Sequence, residues 1–257
     1  MRLIATLIVA GLAACSAGSI GASADGHPLA GTLWDVAAGE RVERAALAAR
    51  LREADVAILG EVHDNPAHHR RQAWLVERIA PAGIAFEMIP EASEEGVRTF
   101  LEEGGAPGEI GPAIGWERLG WPDWAMYRPV FEAAAGAYVA GGGVARGDLG
   151  RAMEADAAAA FGPGAAAYGL DEALPAAERE AVTDEMMASH CDALPRPVAA
   201  KMVAAQRLRD ARFAHAVRRA RAIGGGRTVL VTGNGHARTD RGVPAALAEA
   251  EPALDVV

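Results

Sequence analysis

The chain has 257 residues, 51% of them apolar and 23% charged, which excludes a disordered polymer and supplies enough apolar material for one sizeable core. Its 30 glycines and 14 prolines follow no repeat, so they mark turns and not a collagen-like period. Net charge is −9 and no basic cluster stands out, which argues against nucleic acid as a partner.

Residues 1–14, MRLIATLIVAGLAA, set one basic residue, Arg2, before an apolar run. The run is far shorter than the roughly 20 residues that span a bilayer, so it reads as a signal peptide. Two cleavage sites compete. Leu12-Ala13-Ala14-Cys15 has the form of a lipobox, which would make Cys15 a lipidated residue. Ala22-Ser23-Ala24 has the form of an ordinary secretory site. The lipobox is preferred, because small and polar residues follow Cys15 and suit a membrane tether. Ser16 carries no acidic retention signal, so the expected location is the outer membrane. The chain is thus read as a signal segment over 1–14, a tether over 15–30 and one domain over 31–257. Only two cysteines exist. With Cys15 acylated, Cys191 has no intrachain partner and reads as a buried thiol.

Residues 40–54 carry the stripe Val42, Leu47, Leu51 and predict a helix. Val56–Gly60 is a short apolar run, expected as a buried strand. Asn65-Pro66 opens a helix to Ile79, and Ile84–Met88 is a second buried strand. A helix is expected from Glu91 to Leu101. The Gly- and Pro-rich stretch 104–122, with Trp116 and Trp121 and with Trp124 close by, reads as a loop at a pocket rim or an interface. Met126–Ala137 is expected as a helix with Pro129 near its start, and Tyr138–Ala140 as a weak strand. Helices follow over 151–161, 176–189 and 198–223, the last ended by Gly224–Gly226. Thr228–Thr232 is the clearest strand, residues 243–250 a last short helix, and Leu254–Val257 the start of a further strand. Strands alternating with helices predict an α/β fold: a mainly parallel central sheet, helices on both faces, and a helical insertion before the late strand.

Three of these strands deliver ionisable residues at their C-terminal ends, the edge at which open α/β sheets bind ligands. The first runs into Glu61 and His63, the second into Glu87, the third into Asn234 and His236. Glu61 and His63 are two apart, so extended backbone projects them to one side. With His236 they form a candidate three-ligand set for a divalent metal ion. The alternative is a carboxylate that orients a buried histidine, with no metal. His68, His69 and Gln72 at the next helix start are either neighbours of that set or a solvated turn. Met202, Gln206 and Asp210 are spaced to share one face of the long helix, either over the site or in water. H-E-x-x-H, G-x-G-x-x-G, G-x-S-x-G and Walker patterns are absent.

The stretches ILGEVHDNPAHHRRQ (58–72), FEM (86–88), GWPDWAMYRPVFEAA (120–134), SHCDALP (189–195), MVAAQRLRDARFA (202–214) and VTGNGHARTDRGVP (231–244) resemble the ChaN-like haem-binding lipoprotein family of the Tiki superfamily. The resemblance implies export, lipid anchoring and haem or iron handling. It also implies a tyrosine as axial ligand, in a homodimer that sandwiches two haems. Tyr127, within the matched Trp-rich segment, is the candidate for that ligand, with Arg128 as the cation that would lower its pKa. His190 is the second candidate. The wider superfamily includes metal-dependent proteases with a Glu/His motif after the first strand and a late Gly-x-x-His, here Glu61, His63 and Gly233-Asn-Gly-His236. Gly141–Arg146 departs from the family, which carries an asparagine there.

Three hypotheses follow. The first is an anchored protein that binds haem for uptake or trafficking. The second is a metal-dependent hydrolase in which Glu61, His63 and His236 hold the ion and Glu87 is the general base. The third is a buried polar network that only fixes the sheet ends.

Overall fold

The computed structural model describes Leu29 and residues 31–257. The signal segment, the lipobox with Cys15 and most of the tether lie outside the described residues. Two compact units are distinguished, one ending at Arg44 and one spanning Ala45–Val257. The first contains a two-stranded antiparallel ribbon, β1 (Trp34–Asp35) and β2 (Glu40–Arg41).

The second unit is built on a four-stranded parallel sheet. After α1 (Arg44–Glu53) come β3 (Val56–Glu61), α2 (Pro66–Ile79) and β4 (Gly83–Pro90). Helices α3 (Glu94–Glu102), α4 (Ile110–Ile114) and α5 (Trp124–Ala133) lead to β5 (Tyr138–Gly143). The insertion comprises α6 (Arg146–Glu154), α7 (Ala157–Phe161), α8 (Ala176–Ser189) and the long α9 (Arg196–Gly224). Then β6 (Thr228–Gly233) and α10 (Val243–Ala250) close the fold. The spatial order is β3-β6-β4-β5, so the late strand is driven into the middle of the sheet. This is the α/β class expected from the alternation of apolar strands with helices.

Period-two alternation divides the core. Ala57, Leu59, Ile84, Phe86, Val229 and Val231 face the side covered by α2 and α5. Val56, Ala85 and Leu230 face α9, whose buried side is largely alanine. Small side chains let α9 approach closely. A Cβ on Gly83 would sit 2.3 Å from the Ala220 carbonyl oxygen of α9. We expect Gly83→Ala to cost about 1–3 kcal/mol in urea unfolding, because backbone cannot yield as a side chain can. A cost below the error of that measurement would show that α9 slides freely.

Several boundaries differ from expectation, each for a local reason. Asp123 caps α5 by accepting a hydrogen bond from the Ala125 amide at 2.9 Å, so the helix starts earlier than Met126. Pro129 consequently falls in the second turn, and buried Trp124, Tyr127, Val130 and Phe131 hold the helix together around it. The expected helix 151–161 is two helices, because Asp156 caps a new start by accepting from the Ala159 amide at 2.7 Å. The stretch 104–122 contains α4 and short 3-10 turns around it. β5 runs on through Gly141–Gly143, where a Cβ on Gly141 or Gly143 would meet carbonyl oxygens of Pro90 or Ile89 within 2.8 Å. The glycines that depart from the family pattern therefore fit the irregular end of β4. At the chain end, Val256 makes one parallel bridge to Val56 in place of a full strand. Cys191 is exposed, with φ of 54°, which corrects the expectation of a buried thiol. The turn after α8 lifts it away from any core. No helix among the described residues is long and apolar enough to cross a membrane.

Candidate functional site

The polar residues at the sheet edge form two networks, one on each face. Glu61 follows Ala57 and Leu59 in alternation and so enters the α2/α5 side. Its Oε1 accepts from the Tyr127 hydroxyl at 2.7 Å and lies 2.8 Å from His63 Nδ1. Its Oε2 is buried, 3.3 Å from His69 Nδ1, without a well-aligned hydrogen bond. Burial by itself raises the Glu61 carboxyl, but hydrogen bonds with His63, His69 and Tyr127 overcome this and hold it at about 2.

His69 completes this network. Its Nε2 lies 2.9 Å from the His63 carbonyl oxygen, and its Nδ1 faces Gln72 Oε1 at 3.2 Å. Gln72 in turn donates to the Leu59 carbonyl at 3.0 Å, which leaves its Oε1 as an acceptor. Acceptors face both ring nitrogens, an arrangement that favours the doubly protonated ring of His69. Burial lowers its pKa, yet the Glu61 hydrogen bond and the His63 carbonyl raise it above the ordinary value. His69 and Gln72 are therefore buried members of the network and not a solvated helix start. His63 is raised as well: burial opposes its charge, and Glu61 and Glu87 restore it.

The second network lies on the α9 side. Glu87 Oε2 accepts from the Thr232 hydroxyl at 2.7 Å and from the Gly233 amide at 2.8 Å. His236 Nδ1 lies 2.6 Å from Asp210 Oδ1 and 3.0 Å from Gln206 Nε2. Burial raises the Asp210 carboxyl, and its His236 partner only partly offsets this. Glu87 Oε1 joins the two networks, 4.0 Å from His63 Nε2 and 3.8 Å from His236 Nε2.

The expected trio is thereby divided. Glu61 and His63 are in contact, as their spacing requires, but Glu61 sits on one face and His236 packs against α9 on the other. Among the described residues no group of three or more His, Cys, Asp or Glu side chains is arranged to hold a metal ion. Glu87 is the residue that links the histidines. Gln206 and Asp210 of the long helix belong to the site, whereas Met202 lines a neighbouring cavity.

Tyr127 is fully buried, and its phenol is raised by burial and by the Glu61 charge. That is the reverse of what a phenolate ligand needs. Arg128 is paired with Glu132 at 2.8 Å and Glu109 at 3.6 Å, so it does not serve the Tyr127 hydroxyl. A helix turns consecutive residues to different sides, and Arg128 therefore faces water.

Two large cavities open at the same edge. One, about 700 Å³, is lined by Glu87, Trp121, Phe213 and several arginines. The other, about 710 Å³, lies among α6, α8, α9 and the turn after β6. Met153, Met186, Met202, His190 and Arg209 line it. His190 Nδ1 donates to the Met186 carbonyl oxygen at 2.7 Å, which leaves Nε2 without a partner among the described residues.

A parallel α/β sheet with ligand-sized cavities and ionisable residues at its carboxyl edge defines a small-molecule-binding protein of the open α/β type. Residues 47–247 match the family model described as haem-binding uptake, Tiki superfamily, ChaN, and the chain belongs to that family of haem-uptake proteins. Its fold is similar to a solved structure described as cofacial haem binding to ChaN of Campylobacter jejuni. The TM-score is 0.71 at 17% identity, over 88% of each chain. The type III effector HopBA1 is more distant, with a TM-score of 0.42 at 14% identity over 74% of this chain and 71% of that one. No curated protein matches the chain.

Proposed function

We propose that this protein binds haem in the methionine-lined cavity beside His190 and serves haem or iron uptake from an outer-membrane lipid anchor at Cys15. The observation that carries this reading is the lining of that cavity. Its volume of about 710 Å³ falls in the roughly 300–1,000 Å³ range of ligand clefts. Three half-buried methionines offer soft, adaptable surface for a porphyrin face. His190 Nε2 has no hydrogen-bond partner among the described residues and so suits axial ligation, and Arg209 is available to a propionate. Bound haem would supply an iron centre; the protein would bind, orient and shield it. His190 replaces Tyr127 as the preferred ligand, because His190 lines the methionine cavity whereas the Tyr127 hydroxyl is buried against Glu61. The wider reading retains the signal segment 1–14, the tether 15–30 and a domain from residue 31.

Haemin titration of the full chain in detergent tests the assignment. We expect a saturable Soret shift, weakened at least tenfold by His190→Ala. Tyr127→Phe is expected to leave haemin affinity unchanged and to cost about 1–3 kcal/mol of stability, the effect of leaving the buried Glu61 carboxylate without that donor. Affinity lost in Tyr127→Phe and kept in His190→Ala would restore the phenolate reading. Sedimentation with and without haemin tests the homodimer implied by the family resemblance.

A second reading rests on a separate observation, the position of Glu87 Oε1 between two imidazoles that each have a carboxylate partner. Such a group can pass a proton between a nucleophile and a leaving group, which favours hydrolysis of an ester or amide. Release of p-nitrophenol from p-nitrophenyl acetate that survives Glu87→Gln would remove this reading.

A further inference from the structure

The 700 Å³ cavity differs from the haem cavity in its charge. Arg118, Arg146 and Arg209 line it, and their guanidinium groups form no ion pair or hydrogen bond among the described residues. The fourth arginine, Arg212, is occupied: it donates to the Phe161 carbonyl at 3.0 Å and stacks on that ring at 4.2 Å. Two of the cavity's acids are also occupied. Asp148 pairs with Arg151, and Glu91 lies 3.2 Å from Arg219. Three unpaired cations thus face one remaining carboxylate, Glu87.

Glu87 is itself half satisfied. Its Oε2 takes two hydrogen bonds, whereas its Oε1 has only the distant imidazoles. The side walls are aromatic: Trp121 meets the His63 ring edge-on at 4.9 Å, and Phe213 meets His236 at 4.7 Å. The cavity is therefore bipolar, with cations, apolar walls and a single acceptor.

We propose that this cavity binds a small organic dianion, a phosphomonoester or a dicarboxylate, with its charged group on Arg118, Arg146 and Arg209 and a hydrogen-bond donor on Glu87 Oε1. Guanidinium forks match carboxylate and phosphate oxygens in pairs, which gives direction as well as charge. Trp121 and Phe213 offer apolar surface to the organic body of such a ligand. The proposal shares Arg209 with the haem reading and Glu87 with the hydrolytic one, but it requires neither His190 nor turnover.

Isothermal titration of the full chain in detergent with phenyl phosphate, phenylmalonate and neutral benzyl alcohol tests it. We expect saturable, salt-sensitive binding of one or both dianions, and none of benzyl alcohol. Which dianion binds identifies the head group. The double variant Arg118→Gln/Arg146→Gln should weaken that binding at least tenfold while haemin affinity stays unchanged. Both residues are exposed, so the variant keeps its fold. Absence of saturable binding would overturn the proposal, as would binding that survives the double variant. Haemin affinity that falls with the same variant, with haemin displacing the probe, would assign these arginines to haem propionates instead.

Discussion

Glu61→Ala is expected to lower stability by about 3–5 kcal/mol near pH 5.5, the cost of removing one member of a buried charged network. The substitution leaves the His69 ring and the Tyr127 hydroxyl without the oxygens that face them. The effect depends on pH with a definite sign. Glu61 is held at about 2, below its ordinary 4.5. Its contribution is complete above about pH 4.5 and fades as pH falls toward 2. His63 and His69 are raised above their ordinary 6.5, so their contribution is complete below that pH. It is lost as pH rises through their folded values. The difference between wild type and variant should therefore be largest between about pH 4.5 and 6.5 and should shrink on both sides. Urea unfolding at pH 3, 5.5 and 8.5 measures it. A difference that is flat across the three would mean that Glu61 acts by packing and not by charge.

Trp116→Ala should cost a similar amount, about 3–5 kcal/mol, or roughly 10 °C in melting temperature for a chain of this size. Trp116 is 1% exposed and lies 5.0 Å from Trp124 and 4.9 Å from Tyr127, ring to ring. Its indole N–H donates to the Pro122 carbonyl at 2.8 Å, which closes the turn before α5. Truncation leaves a cavity and releases that turn. It also removes the wall behind Tyr127, whose hydroxyl holds Glu61. Trp116→Ala and Glu61→Ala should thus couple, and the double variant should lose less than the two single losses added. Trp116→Phe keeps part of the ring contact and loses the N–H bond, so it should fall between wild type and alanine. Thermal unfolding of all four variants decides the matter. Additive losses would separate the aromatic cluster from the Glu61 network.

The sequence by itself determined the layering and the edge at which the site lies. Uninterrupted apolar runs such as Val56–Gly60 and Thr228–Thr232 need burial on both faces, and a parallel sheet between helices provides it. The ionisable residues just after those runs could only gather at the carboxyl edge. The pairing of Glu61 with His63 was equally legible, because two-residue spacing is a local property of extended backbone. Helix ends were less so: Asp123 and Asp156 act as caps through single hydrogen bonds that hydrophobic periodicity does not register.

Tertiary structure alone decided which polar groups meet. Strand order β3-β6-β4-β5 is a non-local fact, and it places Glu87 beside Thr232 and Gly233. Alternation then sends Glu61 to one face while His236 packs on the other, so a trio that is plausible by residue type does not converge. The same packing buries Tyr127 beneath Trp116 and leaves His190, one helix end among several in the sequence, on the wall of a methionine-lined cavity. Residue type fixes what a group can do; which atoms lie within reach depends on how sheet order and helix packing turn each face.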